Sequence, residues 1–391
     1  MNIVLPASPT FCLAPWVHAC VRTDSTLAPC CQWMGKSTTR YAEFDQWINS
    51  DQLRQVRKDM LEGKQIPECT RCWTDEKIGT TSARLSYNRE FKKVISKLDI
   101  TDNYSVDNDI VTFDLRLGNL CNLKCVMCNP SISSQLMTEY KLNKEKFDNI
   151  KTYQAPGLGV DYAWPDDPSF NEFLNKIKAN IRWIKFTGGE PTMIPYVIDF
   201  LAGIPDPSMV KIVIVTNATR INQRLLDILS KFNHVQILAS IEGIGEDNDQ
   251  LRYLSNWQEV EQNILNIKAL PNVLFHLHYI LQCFSVRTLI PVLAWCDQHH
   301  VKIVDLTLIE PNFLHINSVD VEIINRFKNQ LMNTKSIFNQ QTVDKALKLV
   351  NEHKFNPKLK EERNKYLDTL DSIRNTHLTK LIENYYEPTT I

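Results

Sequence analysis

Two rhythms of apolar residues organise the chain. From residue 105 to about 315, short apolar runs alternate with segments of helical period. The candidate strands are Val111–Leu117, within the apolar segment that starts at Asp109, then Trp183–Thr187, Lys211–Thr216, Val235–Ile241, Leu274–Gln282 and Lys302–Leu308. Between them, Phe170–Ile181, Arg220–Lys231, Trp257–Ala269 and Arg287–His299 read as amphipathic helices. Strands that alternate with helices predict a parallel sheet with helices on one face, curved or open, in which chemistry gathers at the carboxyl ends of the strands.

One face of these strands is unusually polar. At period two, Thr112, Asp114 and Arg116 share a face, as do Lys185 and Thr187, Gln236 and Ser240, His276, His278 and Gln282, and Asp305 and Thr307. Buried polar groups in a parallel strand need partners. A wet lumen that binds a polar substrate accounts for them together; the alternative is a gap in the helical layer that exposes some of them to solvent. His299 and His300, at a helix end, read as surface histidines.

Outside this region the pattern changes. Residues 1–104 are rich in cysteine and aromatic residues, with one clear helical stretch, Phe44 to Glu62, capped near Asn49 and Ser50. Residues 316–391 read as helices, Val321–Leu331, Val343–Glu352 and Leu359–Glu383, with apolar stripes to pack on the domain before them. Three domains are therefore expected: 1–104, 105–315 and 316–391. Tyr162 and Trp164 are expected to anchor the loop between Asn129 and Phe170.

Composition narrows the chemistry. Lys and Arg number 44 against 45 Asp and Glu, a formal net charge of -1, which gives no strong nucleic-acid signal. No apolar run approaches a membrane span and no export signal opens the sequence, so a cytoplasmic protein is expected. Of 11 cysteines, nine precede residue 130 in local groups. Disulfide scaffolds are usually small, so metal ligation in a reducing compartment is the better account.

Two cysteine groups follow. Cys121, Cys125 and Cys128 sit just after the first strand; three thiolates on a [4Fe–4S] cube leave one iron open to a ligand. Cys12, Cys20, Cys30, Cys31, Cys69 and Cys72 lie in the first domain. We expect Cys12, Cys30, Cys69 and Cys72 to hold a metal centre, with Cys31 the rival of Cys30 and a structural Zn(Cys)4 site the alternative. Cys20 and Cys31 otherwise read as small buried hydrophobes, and His18 as a loop histidine satisfied by backbone. At later strand ends stand Thr187-Gly188-Gly189-Glu190-Pro191, Thr216-Asn217-Ala218-Thr219 and Ser240-Ile241-Glu242-Gly243, the last followed by Arg252. Paired glycines admit close backbone approach, and a carboxylate can pair with an amine.

In these motifs and their order the chain resembles the radical S-adenosylmethionine superfamily, in particular members with a SPASM or twitch auxiliary-cluster module. The resemblance implies a partial (β/α)6 TIM-like barrel, with the Cys-rich module at its amino end and a helical extension at its carboxyl end. It implies a [4Fe–4S] cluster on Cys121, Cys125 and Cys128 whose open iron binds S-adenosylmethionine. Gly188, Gly189, Glu190, Asn217, Ser240 and Arg252 correspond to positions that line that cofactor, Glu190 at its amino group. Met127 stands where an aromatic residue is common near adenine, and Ser25 in the approximate place of a glycine of the auxiliary module. A second [4Fe–4S] cluster is implied for the amino-terminal cysteines. The implied reaction is one-electron cleavage of the sulfonium to a 5′-deoxyadenosyl radical that abstracts hydrogen from substrate. Substrate contacts are expected from the face bearing Asp114, Arg116, Lys185, His276, His278 and Gln282, with His278 as proton acceptor and Asp114 as an ion-pair partner of Arg116 or the substrate. The implied partners are a reductant of flavodoxin or ferredoxin type and a peptide or protein substrate; a small molecule or RNA is the alternative. A zinc-binding interaction protein is the reading of another class.

Overall fold

The computed structural model describes residues 4–77, 81–107, 110–150, 157–307 and 310–383. Among the described residues ten strands occur in chain order: β1 His18–Val21, β2 Leu27–Ala28, β3 Thr112–Arg116, β4 Lys124–Cys125, β5 Trp183–Thr187, β6 Lys211–Thr216, β7 His234–Ser240, β8 Arg252–Tyr253, β9 Val273–Leu281 and β10 Lys302–Thr307. All six strands expected from the apolar runs are present, to within a residue or two at their ends. Asp109 and Leu308, at the expected ends of two of them, lie outside the described residues. The chain divides into two compact units. The first comprises Met1–Leu120, Gly159–Ile214 and Gln223–Val235; the second comprises Cys121–Leu158, Val215–Asn222 and Gln236–Ile391.

In the first unit the strand order is β6-β5-β3-β1-β2. β1, β3, β5 and β6 run parallel, and β2 turns back antiparallel to β1. Alternation sorts the side chains of β3: Phe113 and Leu115 are buried on one face, and Thr112, Asp114 and Arg116 lie on the other. The Phe113 ring packs 6.2 Å from Phe173 of helix Pro168–Lys178, whose Phe170, Leu174 and Ile177 are also buried. Each such side chain contributes about 1.5–3 kcal/mol on burial. Trp164 donates its indole N–H to the Thr23 carbonyl at 2.8 Å and packs on Tyr41 and Phe170, which anchors its loop as expected.

The amino-terminal hundred residues hold more regular structure than their loop-like composition suggests. β1 pairs with β3 in the register His18↔Thr112 and Cys20↔Asp114. Its four-residue run His-Ala-Cys-Val is too short to show a period. Phe44 to Glu62 forms two helices, Phe44–Trp47 and Asp51–Leu61, because Ser50 caps the second through Leu53 N–H. Cys72 lies within a helix, Thr70–Lys77, rather than in a loop. Ser25 has φ 72°, the left-handed conformation that favours glycine.

In the second unit β9 stands between β10 and β7, with β10 parallel to it. β9 buries Phe275, Leu277, Tyr279 and Leu281 and turns His276, His278 and Ile280 the other way. Gln236 and His276 partner one another at 3.4 Å. Asp305 does not join a polar lumen: it accepts from Thr342 at 2.7 Å and pairs with Lys345 of helix Gln340–Asn351. The carboxyl-terminal stretch expected as one helix is two, Pro357–Arg374 and Leu378–Glu383, broken where Asn375 takes a left-handed cap at φ 54°. Among the described residues no helix is long and apolar enough to cross a membrane.

Candidate functional site

Cys121, Cys125 and Cys128 sit in a loop that the second unit holds from several sides. β4 pairs antiparallel with β8 in the register Cys125↔Arg252, which sets the guanidinium beside the thiol. Arg252 Nη1 donates to Cys125 Sγ at 3.6 Å, and its Nη2 donates to Glu242 Oε1 at 3.1 Å. Asn217 Nδ2 donates to Cys121 Sγ at 3.9 Å and to Asn122 Oδ1 at 3.0 Å. Ser133 donates to the Leu123 carbonyl at 2.7 Å while capping helix Ser134–Leu142, and Ser134 Oγ exchanges hydrogen bonds with both backbone groups of Cys121. From the carboxyl-terminal helix, Tyr366 donates to the Val126 carbonyl at 2.8 Å.

The chemistry of these donors suits an anionic sulfur cluster. N–H groups aimed at thiolate sulfur stabilise its charge and tune the potential of a centre bound there. Burial pushes the Cys125 and Cys128 thiols up from their ordinary range, so loading a metal has to displace their protons. Burial opposes the charge of Arg252, but Glu242 and Cys125 outweigh it and keep the guanidinium ionised. Arg252 Nε and Glu242 Oε2 are buried without a hydrogen-bond partner. These two orphaned atoms, a donor and an acceptor beside Cys125, are what a bound zwitterionic cofactor would satisfy. Of the residues the sequence nominated here, Cys121, Cys125, Cys128, Asn217 and Arg252 are gathered together. Met127 is buried in the same loop, Ser240 ends β7, and His278 lies on β9. Glu242 is the residue that sequence reasoning noted but did not select; its place beside Arg252 depends on the β4–β8 register, which no local pattern reveals.

In the first unit the Gly188-Gly189-Glu190 turn packs on the segment that leads into the cysteine loop. Gly188 has φ 113°. A Cβ on Gly189 would lie 2.1 Å from the Leu120 carbonyl oxygen, so only glycine permits this approach. Glu190 N–H then donates to the Leu120 carbonyl at 2.7 Å. The Glu190 side chain is buried, and its Oε1 accepts from Thr192 N–H at 3.1 Å and Thr192 Oγ1 at 2.7 Å, capping the short turn Pro191–Met193.

The same unit brings together Asp114, Arg116 and Lys185. Lys185 Nζ lies 3.9 Å from Asp114 Oδ2, Arg116 Nε 4.0 Å from Oδ1, and Thr187 Oγ1 donates to Oδ1 at 3.3 Å. Burial works against the Asp114 carboxylate, but Lys185 and Arg116 outweigh it and hold its pKa below the usual range.

Cys12, Cys30, Cys69 and Cys72 line a common cavity that leaves only about 20 Å³ of room for a water-sized molecule. Cys31 is not among its lining residues; its Sγ instead meets Tyr87 Oη at 3.1 Å. Arg84, paired with Glu76 at 2.6 Å, also lines the cavity and draws the Cys12 and Cys69 thiols down, although burial pushes both up to about 12. Among the described residues no three His, Cys, Asp or Glu side chains converge on a single metal ion.

Residues 115–282, which include the cysteine loop and the glycine turn, match the model of the family described as the Radical SAM superfamily. An uncharacterized protein of Methanocaldococcus jannaschii is 27% identical over 146 residues, 36% of this chain and 42% of that protein. Among solved structures, anSMEcpe with bound AdoMet is 16% identical, covers 57% of this chain and 57% of its own, and has a TM-score of 0.37. Streptococcus suis SuiB bound to S-adenosylmethionine is 13% identical, covers 72% of this chain and 60% of its own, with a TM-score of 0.35. Likenesses this slight carry no structural argument. The chain spans less than half the length of the curated relative and about three fifths of these solved ones.

Proposed function

We propose that the chain is a radical S-adenosylmethionine enzyme with an auxiliary iron–sulfur centre, acting on a peptide or protein side chain. Cys121, Cys125 and Cys128 would hold the cluster whose open iron takes the cofactor, and Cys12, Cys30, Cys69 and Cys72 the auxiliary one. When bound, these groups supply reductive cleavage of the sulfonium and hydrogen abstraction. The chain's own residues then have distinct tasks. Arg252 and Asn217 donate to the cluster thiolates, while Arg252 Nε and Glu242 Oε2 receive the cofactor's polar groups. Gly188, Gly189 and Glu190 in the first unit, and Ser240 and Met127 in the second, match the family's cofactor-lining positions. The expected substrate contacts are Asp114, Arg116 and Lys185 in the first unit and His278 in the second.

The observation that carries this reading is the cysteine loop itself: three thiols, two of them met by side-chain N–H donors, next to an unsatisfied Arg–Glu pair. The peptide class follows from the resemblance to auxiliary-cluster relatives. The decisive experiment is anaerobic reconstitution with iron and sulfide, then dithionite and S-adenosylmethionine. Formation of 5′-deoxyadenosine, lost in the Cys125→Ala variant, is the expected result. A fully loaded protein that forms none, or a colourless protein that holds only zinc, overturns the proposal.

A further inference from the structure

The polar face of the first unit's sheet extends onto β1, where His18 joins it. The register places His18, Thr112 and Trp183 in one row, Cys20, Asp114 and Lys185 in the next, and Arg116 and Thr187 in a third. Rows on one face are roughly 6–7 Å apart. The structure fixes the tautomer of His18. Thr112 donates its single hydroxyl proton to the Val17 carbonyl at 2.8 Å, so His18 Nδ1, 2.9 Å from that hydroxyl, must be the donor to it. The neutral ring then carries a bare lone pair at Nε2. Burial lowers the His18 pKa to about 4, which keeps the ring neutral near pH 7. Phe91 stacks on the ring at 4.9 Å, and Tyr87 and Trp183 wall it further.

Three atoms of this face are buried without a hydrogen-bond partner: His18 Nε2 and Asp114 Oδ2, both acceptors, and Arg116 Nε, a donor. Leaving such groups unpaired is unfavourable, the more so where they are charged. The side chains of Lys185 and Arg116 keep 25% and 32% exposure, so the face is open at their end. With His18 neutral, Arg116, Lys185 and Asp114 sum to one positive charge. That sum matches a monoanion. A phosphate dianion would bring a second negative charge against Asp114, whose carboxylate stands 3.9 Å from Lys185 Nζ and 4.0 Å from Arg116 Nε.

We propose that this face binds an α-carboxylate together with its neighbouring N–H group, the carboxylate against Arg116 and Lys185 and the N–H against Asp114 Oδ2 and His18 Nε2. The inference rests on the proposed function and narrows its substrate to a molecule that presents a free carboxyl end. A free amino acid and the last residue of a peptide both carry that chemistry.

The test is isothermal titration of the reconstituted protein, with S-adenosylmethionine present, using three probes: L-alanine, N-acetyl-L-alanyl-L-alanine, and the carboxamide of that dipeptide. A carboxylate probe should bind at least tenfold more tightly than the carboxamide. Preference for L-alanine identifies a free amino acid, and preference for the acetylated dipeptide a chain terminus. Lys185→Gln should abolish the preference, and because this side chain is partly exposed the variant should keep its circular dichroism. His18→Asn, whose amide can replace the Nδ1 donor but not the Nε2 acceptor, should weaken the carboxylate probe. Equal affinity for carboxylate and carboxamide, or no binding of any probe at millimolar concentration, overturns the inference. 5′-Deoxyadenosine formation in the same wild-type preparation separates the cases: if it forms without carboxylate preference, only this inference falls.

Discussion

At Gly189 the backbone leaves no room for a methyl group, because the Leu120 carbonyl oxygen stands 2.1 Å from where Cβ would be. Gly189→Ala must therefore move the turn or break the Glu190 N–H to Leu120 hydrogen bond, at a cost of about 2 kcal/mol or more. Denaturant midpoints of the two proteins check this. Near the other edge of the sheet, His18 gives a pH signature. Its folded pKa of about 4 lies below the ordinary 6.5, so between those values the unfolded chain holds the proton and the folded one does not. Stability then falls as pH drops through that window, by up to about 3 kcal/mol from this group. His18→Asn should show a shallower acid loss than wild type in unfolding curves at pH 5 and pH 7.5. Both glycines could be read from the sequence because a Gly-Gly pair at a strand end implies close approach. His18 could not, since nothing local shows that His-Ala-Cys-Val pairs with a strand some 90 residues later.

Among the elements, helix Pro357–Arg374 has a larger task than its charged, solvated pattern suggests. Tyr366 is fully buried and reaches the Val126 carbonyl inside the cysteine loop. Near its end, Arg374 makes a buried pair with Glu139 at 2.6 Å, and Lys124 meets the same carboxylate at 3.1 Å. Tyr366→Phe removes one hydrogen bond from a buried carbonyl and should cost about 1–2 kcal/mol. The variant should also lose cluster iron to a chelator faster than wild type, a change that simple destabilisation of a remote helix would not produce at temperatures well below unfolding. Arg374→Leu leaves Glu139 short of its main partner in the interior and should cost about 3–5 kcal/mol. Such contacts span roughly 240 positions of sequence. The helix itself was legible from its apolar stripe, but its target was not, because a stripe records that a face is covered without recording by what.

For the molecule as a whole, the two cysteine sets make separable claims about metal content. Two four-iron clusters require about eight irons per chain, and removing either ligand set should leave about four. The Cys121, Cys125 and Cys128 loop lies in the second unit, and the Cys12, Cys30, Cys69 and Cys72 cavity lies in the first, so each should load without the other. The adjacent pair Cys30 and Cys31 sharpens the test. Sequence spacing could not choose between them, because neighbouring side chains diverge and the direction of each depends on the turn that carries them. In the folded chain Cys30 lines the cavity, and Cys31 meets the Tyr87 hydroxyl instead. Cys30→Ser should thus lower anaerobically reconstituted iron toward four per chain, whereas Cys31→Ser should leave it near eight. The reverse result would assign the auxiliary centre to the other thiol, and an unchanged count in both variants would remove Cys30 and Cys31 alike from the ligand set.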